Sequence, residues 1–166
     1  MAATGLGTGM TFADFGAGSG SYALAAARLV GTNGMVYALD IRQESVSHIA
    51  STARLQRFNN VRTEQCDLDS MAACSVPDLT AQLVVVSKIL SQLKHPERLV
   101  KQAYRVLKTG GRVLVVEWKK QPTPLGPPQE TRIDEKTATD LFSKQAFKFL
   151  GNVETDAYHY GLLFEK

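Results

Sequence analysis

Short apolar runs alternate with longer amphipathic stretches along most of this chain. Thr11–Phe15, Met35–Leu39, Val61–Cys66, Ala81–Ser87 and Arg112–Glu117 read as strands. Between them, Ser21–Val30 and Arg42–Phe58 read as helices, and Val46, Ile49, Ala50, Ala53 and Leu55 mark the apolar face of the second. His95-Pro96-Glu97 opens another, with proline in the first turn, where its missing N–H costs nothing. Leu99, Val100, Ala103, Val106 and Leu107 form the buried face of that helix. Gly31-Thr32-Asn33-Gly34, Asn59-Asn60 and Thr109-Gly110-Gly111 end their segments with turn chemistry. The polar stretch Asp69–Leu79, broken by Pro77, predicts one short helix. Trp118–Ile133 is a proline-rich loop longer than the roughly 12 residues common in compact domains, so a functional loop and a plain surface excursion both stay open. Asp134 is placed to cap a helix over Glu135–Lys148. Phe149–Ala157 and Tyr160–Glu165 follow as strands whose link is too short for a parallel crossover, so they form an antiparallel hairpin. The whole pattern predicts an α/β fold, a parallel sheet with helices on both faces and a hairpin at one side.

Composition changes this picture little. A chain of 166 residues with 44% apolar and 21% charged residues is an ordinary globular domain able to bury a core. Residues 1–10, rich in Gly, Ala and Thr, read as a short, poorly ordered lead-in to a single domain over 11–166. The net charge of +3 is spread along the chain, which permits an anionic partner without arguing for nucleic acid. No apolar run nears the roughly 20 residues of a membrane span, and Met1–Met10 lacks the form of a signal peptide, so a cytoplasmic protein is expected. Cys66 and Cys74 do not have metal-ligand spacing, and few His accompany them. Two reduced thiols and no metal site are expected.

The chemistry gathers at strand ends. Asp14, Asp40, Asp67 and Ser87 all fall at or near the C-terminal ends of predicted strands, the edge where such sheets bind ligands. Gly16, Gly18 and Gly20 follow Asp14 and lead into the alanine-rich helix. Such a loop admits a ligand close to backbone and offers the N–H groups of a helix start to it. The dinucleotide fingerprint G-x-G-x-x-G is not met, because the third glycine comes one position early and Ser21 stands where Gly or Ala belongs. Asp40 lies at a distance suited to ribose hydroxyls in either a dinucleotide or another nucleoside.

Asp14-x-Gly16-x-Gly18-x-Gly20 resembles motif I of class I S-adenosylmethionine-dependent methyltransferases. Val36–Asp40, Cys66-Asp67-Leu68, Leu83–Leu90 and Ala103–Arg112 are similar to the segments that follow in that family. The resemblance covers nearly the whole chain and is nearest to the small-molecule branch with quinone and arsenite methyltransferases. It implies a Rossmann-like, doubly wound, seven-stranded, mostly parallel sheet with an antiparallel C-terminal strand. It also implies S-adenosyl-L-methionine as cofactor. Gly16, Ala17, Gly18 and Gly20 would line its methionine part, with Asp14 near the amino group. Asp40 would hold the ribose hydroxyls, Ile41 would flank the adenine, and Asp67 would accept from the adenine amino group beside Leu68. Ser87 would close the methionine side. Bracing the loop (Asp14) and capping or turning the chain (Asp40, Asp67) are the plainer alternatives.

Methyl transfer needs in-line alignment and exclusion of water more than a fixed set of catalytic groups. The catalytic residues are therefore not assigned. Lys88, Ser91, Gln92, Trp118, His159 and Tyr160 are candidates on the acceptor side. His159 reads either as a base or as a solvated turn residue; Trp118 and Tyr160 either stack a planar acceptor or pack. Ser87-Lys88-Ile89-Leu90 lacks the Asn/Asp-Pro-Pro-aromatic pattern of many nucleobase and glutamine methyltransferases, and no cysteine cluster supports arsenic. About ten residues precede the first strand, so N-terminal lid helices are not expected. The pocket is then open, covered by the 119–133 loop, or completed in a homodimer. A small-molecule methyltransferase is the leading expectation. An RNA or protein methyltransferase and a non-catalytic nucleotide-binding module remain as alternatives.

Overall fold

The computed structural model describes residues 4–166. In chain order the elements are β1 (Thr11–Phe15), α1 (Ser21–Val30), β2 (Met35–Asp40), α2 (Gln43–Leu55), β3 (Val61–Gln65), β4 (Ala81–Ser87), α3 (Pro96–Val106), β5 (Leu107–Trp118), α4 (Glu135–Ser143), β6 (Lys148–Val153) and β7 (His159–Glu165). The strands form one seven-stranded sheet in the order β3-β2-β1-β4-β5-β7-β6. β3 through β5 run parallel, whereas β7 is antiparallel to both β5 and β6. The doubly wound sheet and the terminal hairpin agree with the sequence reading.

Burial on both faces explains the unbroken apolar strands. Alternate residues of β4 point opposite ways: Val84 and Val86 pack toward α3 and α4, Leu83 and Val85 toward α1 and α2. α1 lies close because Ala23, Ala26 and Ala27 face the sheet. Asp134 caps α4, accepting from the Thr137 N–H at 2.8 Å.

Several expectations are corrected. The stretch Asp69–Leu79 forms turns and no helix, held by the Asp69 carboxylate, which accepts from the N–H groups of Lys94 and His95 at 3.0 and 2.6 Å. These tertiary bonds replace the local ones a helix would make. Cys66 lies just past β3, not within it, and is joined to Cys74 in a disulfide with Cα atoms 5.8 Å apart. The two reduced thiols expected from the sequence are thus overturned; the loop folds back on itself, which residue spacing does not reveal. β5 starts at Leu107, directly after α3, and runs through Thr109-Gly110-Gly111. The lead-in is also more structured than expected over residues 4–10. Leu6 and Met10 pack on the α1-side core, and the Gly9 N–H donates to the Val30 carbonyl at 2.8 Å. The remainder of that lead-in, residues 1–3, lies outside the described residues.

Candidate functional site

The strand order reverses between β1 and β4, and a cavity of about 570 Å³ opens over the C-terminal ends of β1 to β4 at that point. Asp14, Gly16, Ala17, Gly18, Asp40, Ile41, Asp67, Leu68 and Ser87 line it, so nine of the ten residues expected at a cofactor come together. Gly20 is behind the wall, where it serves the loop's packing.

The glycine loop is shaped by positive φ and by close neighbours. Gly16 has φ +79°, and a Cβ there would lie 2.5 Å from Cδ1 of Ile89. Gly20 has φ +80°, and its Cβ would lie 2.6 Å from Cγ1 of Ile49. Gly18, with φ +54°, has open cavity where a side chain would be. The N–H groups of Gly16 and Ala17 donate to the Leu39 carbonyl at 2.9 and 2.8 Å, which ties the loop to the end of β2.

Two acids brace this loop. Asp40 is buried; its Oδ2 accepts from the Gly18 N–H at 2.8 Å and its Oδ1 from the Arg42 N–H at 2.9 Å. Asp14 is 1% exposed, and its Oδ2 accepts from Ala23 N–H at 3.0 Å, one of the free donors of the α1 start. Its Oδ1 is buried without a partner. Burial pushes the Asp14 carboxyl up to about 7, with the Ala23 N–H opposing and the Asp40 charge adding to the rise. Ile41 is exposed at the cavity rim, whereas Leu68 is buried. Asp67 accepts from the Asp69 N–H at 2.9 Å, so it also makes the turn.

Lys88 and Gln92, both acceptor candidates, line the cavity, and Ser91 does not. Lys88 takes φ +57°, and its carbonyl accepts from Gln92 Nε2 at 2.6 Å. Glu117 sets this turn: it is buried, and its Oε1 accepts from the Leu90 N–H at 2.8 Å. Burial pushes its carboxyl up against the N–H groups of Leu90, Ile89 and Trp118, which favour the anion. Tyr160 stands apart. It faces the α4 side of the sheet, is buried, and donates to the Ile133 carbonyl at 2.9 Å. Trp118 and His159 pair across β5 and β7 with ring centroids 4.1 Å apart. Neither lines the cavity; the Trp118 ring also lies under the Arg132 guanidinium at 5.5 Å and close to Gly126, where an added Cβ would sit 2.8 Å from it. Arg132, 4% exposed, donates to the carbonyls of Lys119, Gln121, Leu125 and Pro127 and so organises the proline-rich loop.

Sequence reasoning missed Tyr22, Glu117 and Arg132. Tyr22 lines the cavity, and burial raises its phenol pKa, the Ser87 hydroxyl opposing and the charges of Asp14 and Asp156 adding. An aromatic next to the glycine loop in an alanine-rich helix was its signal, and an acid ending an apolar strand was that of Glu117. Nothing local distinguishes Arg132, whose acceptors are brought to it by the loop.

Comparison with known proteins places this geometry. A family model described as a methyltransferase domain matches residues 6–157. The ubiquinone/menaquinone biosynthesis C-methyltransferase UbiE of Cupriavidus taiwanensis is 30% identical over 166 residues, covering 99% of this chain and 63% of that protein. The enzyme of the same name from Laribacter hongkongensis is 28% identical, with 96% and 61% covered. The chain thus spans about three-fifths of the length of these curated relatives. The crystal structure of a SAM-dependent methyltransferase from Aquifex aeolicus superposes with a TM-score of 0.89 at 25% identity, over 98% of this chain and 85% of that one. An arsenic(III) S-adenosylmethionine methyltransferase from Chlamydomonas reinhardtii shares the fold, with a TM-score of 0.77 at 21% identity and coverage of 97% and 64%. With its family model matched over residues 6–157, the chain belongs to the methyltransferase-domain family.

Proposed function

We propose that this protein is an S-adenosyl-L-methionine-dependent methyltransferase acting on a small-molecule acceptor, with a quinol as the acceptor class. The observation that carries the reading is the single cavity shared by the Asp14–Gly20 loop and the Asp40 carboxylate at the switch point of the sheet. The residues suit the cofactor. The buried, unpartnered Asp14 Oδ1 offers an acceptor to an ammonium group, and Gly18 leaves open space beside it. Asp40 would hold the ribose hydroxyls, exchanging its bond to Arg42 for them, while Ile41, Asp67 and Leu68 would flank the base. When bound, the cofactor supplies a methyl group on a positively charged sulfur. The chain's own work is to align the acceptor and keep water out, tasks that fall to Lys88, Ile89 and Gln92 on the far wall. The quinol class rests on the names of the curated relatives. No helix among the described residues is long and apolar enough to cross a membrane. A cytoplasmic setting and a homodimer that completes the open side of the cavity are part of the proposal. The dimer is read by sedimentation.

Calorimetric titration with S-adenosylmethionine, S-adenosylhomocysteine and NAD tests this reading. Micromolar binding of the first two, weakened at least about tenfold in Asp40→Ala, is expected for a lost pair of charged hydrogen bonds. Absence of both, or preference for NAD, would overturn it.

A further inference from the structure

Beyond the end of β3 the cavity wall is a loop: Cys66, Asp67, Leu68 and Asp69 line the cavity and belong to no helix or strand. This wall is tied to Asp40, whose carbonyl accepts from the Cys66 N–H at 3.0 Å. The chain then runs out into solvent over Met71–Ala73 and returns at Cys74, which is 5% exposed. The return is anchored. Cys74 packs into the core on the α3 side, and the Arg105 guanidinium donates to the carbonyls of Cys74 and Val76 at 3.1 and 2.8 Å. The Ser75 N–H donates to the Glu64 carboxylate of β3 at 3.0 Å. The Cys66–Cys74 disulfide joins the two ends of the excursion, so it fastens a residue of the cavity wall to a fixed post in the core. The two cysteines differ in access: Cys66 is partly buried and lines the cavity, whereas Cys74 is buried and does not.

We propose that Cys66 and Cys74 form a reversible thiol–disulfide site that sets the affinity of the cavity for its cofactor. Bridged, the wall is held for binding; reduced, it is released. The proposal rests on the methyltransferase reading above. Reduction by a dithiol starts at Cys66, the more accessible sulfur. One thiolate of the reductant bonds to the Cys66 sulfur as the S–S bond breaks, and the electron pair leaves on Cys74, which takes a proton. The second thiolate of the reductant then displaces Cys66, which leaves as a second thiol, and the reductant becomes a cyclic disulfide. Two electrons and two protons pass from reductant to protein. The 66–74 loop regains the freedom that the bridge withheld, and ordering it again falls to the bound cofactor. In the cytoplasmic setting proposed above, disulfides serve chiefly as transient or sensing bonds. Linkage makes the effect reciprocal: the factor by which reduction weakens cofactor binding is the factor by which bound cofactor resists reduction.

The test uses the full chain, either oxidised or reduced anaerobically with dithiothreitol, and S-adenosylhomocysteine as the probe. Reduction is expected to weaken binding at least about fivefold by calorimetry, the lower end of ordinary coupling between sites. Cys74→Ser removes the bridge at the residue outside the cavity lining. It should bind like the reduced protein whether or not dithiothreitol is present. A second readout needs no variant. Wild type is equilibrated with graded ratios of reduced to oxidised dithiothreitol, with and without saturating S-adenosylhomocysteine, and its free thiols are counted by alkylation and mass spectrometry. The ratio at half reduction should rise with the ligand by the factor that calorimetry gives. Equal or tighter binding by the reduced protein, or a half-reduction ratio that the ligand leaves unmoved, overturns this proposal and leaves the cofactor reading standing. Absence of binding in both redox states overturns the cofactor reading, and this proposal with it.

Discussion

Asp14 holds a charge balance that varies with pH. Its carboxyl titrates at about 7 in the folded protein against 3.8 for the ordinary group, chiefly because it is buried. Between those values the native state keeps a proton that the unfolded chain releases, so folding stability falls as pH rises through about 4 to 7. Asp14→Asn keeps an acceptor for Ala23 and has nothing to titrate. Its stability relative to wild type should therefore grow across that window, by up to about 4 kcal/mol. Urea unfolding of both proteins at pH 4.5 and 7.5 checks this, and a constant difference would refute it. Glu117 acts on the opposite face of the sheet by fixing the Leu90 N–H, and through it the Lys88–Ile89 turn that packs on Gly16. Glu117→Gln preserves that acceptor and should bind S-adenosylhomocysteine like wild type. Glu117→Ala leaves a buried N–H unpaired, costing about 1–3 kcal/mol, and should weaken binding as the cavity wall shifts. Both acids were visible as polar punctuation at the ends of apolar strands. Only the pairing of strands showed that Asp14 is sealed under α1 and that Glu117 points to the other layer.

The proline-rich segment between β5 and α4 is the element whose behaviour sequence described least. Its length suggested function, and its prolines explain why no α-helix or strand forms there, only a single 3-10 turn at Gln129–Thr131. Its shape comes from one buried guanidinium: Arg132 satisfies carbonyls from Lys119 to Pro127 and lies over Trp118. Arg132→Met keeps much of the side-chain volume but strands these acceptors. Amide exchange over residues 119–131 should rise at least about tenfold, while the α1 and β4 amides keep their protection. Unchanged exchange would mean that the prolines alone hold the loop. The 69–79 segment shows the complementary case, in which Asp69 and the disulfide supply an order that no helical pattern could have signalled.

Across the whole molecule, the disulfide closes a short loop between β3 and β4, with eight positions separating its cysteines. Chain-entropy reasoning gives about 2–3 kcal/mol for a loop of that size. Cys74→Ser should lower the unfolding free energy by about that amount, and reduction of wild type should do the same. Matching denaturation curves for oxidised and reduced protein would show that the bridge contributes nothing. The layered architecture itself was legible because each strand's apolar run had to be covered on both faces. The short final link left only a hairpin, and Asp14, Asp40, Asp67 and Ser87 had to share one edge of the sheet.

The sequence by itself determined the order of elements, the parallel sheet, the glycine loop and most of the residues around the cavity. All of these follow from local periodicity, from glycine's access to positive φ, and from the rule that parallel strands end on one edge. Tertiary structure alone decided what distant residues do to one another. It set the His159 ring on Trp118, the buried Arg132 within its loop, the Glu117 brace and the Cys66–Cys74 bridge, and it took Tyr160 out of the site. Each of these depends on which way a side chain faces once strands are paired and loops closed. A one-dimensional pattern does not contain that information.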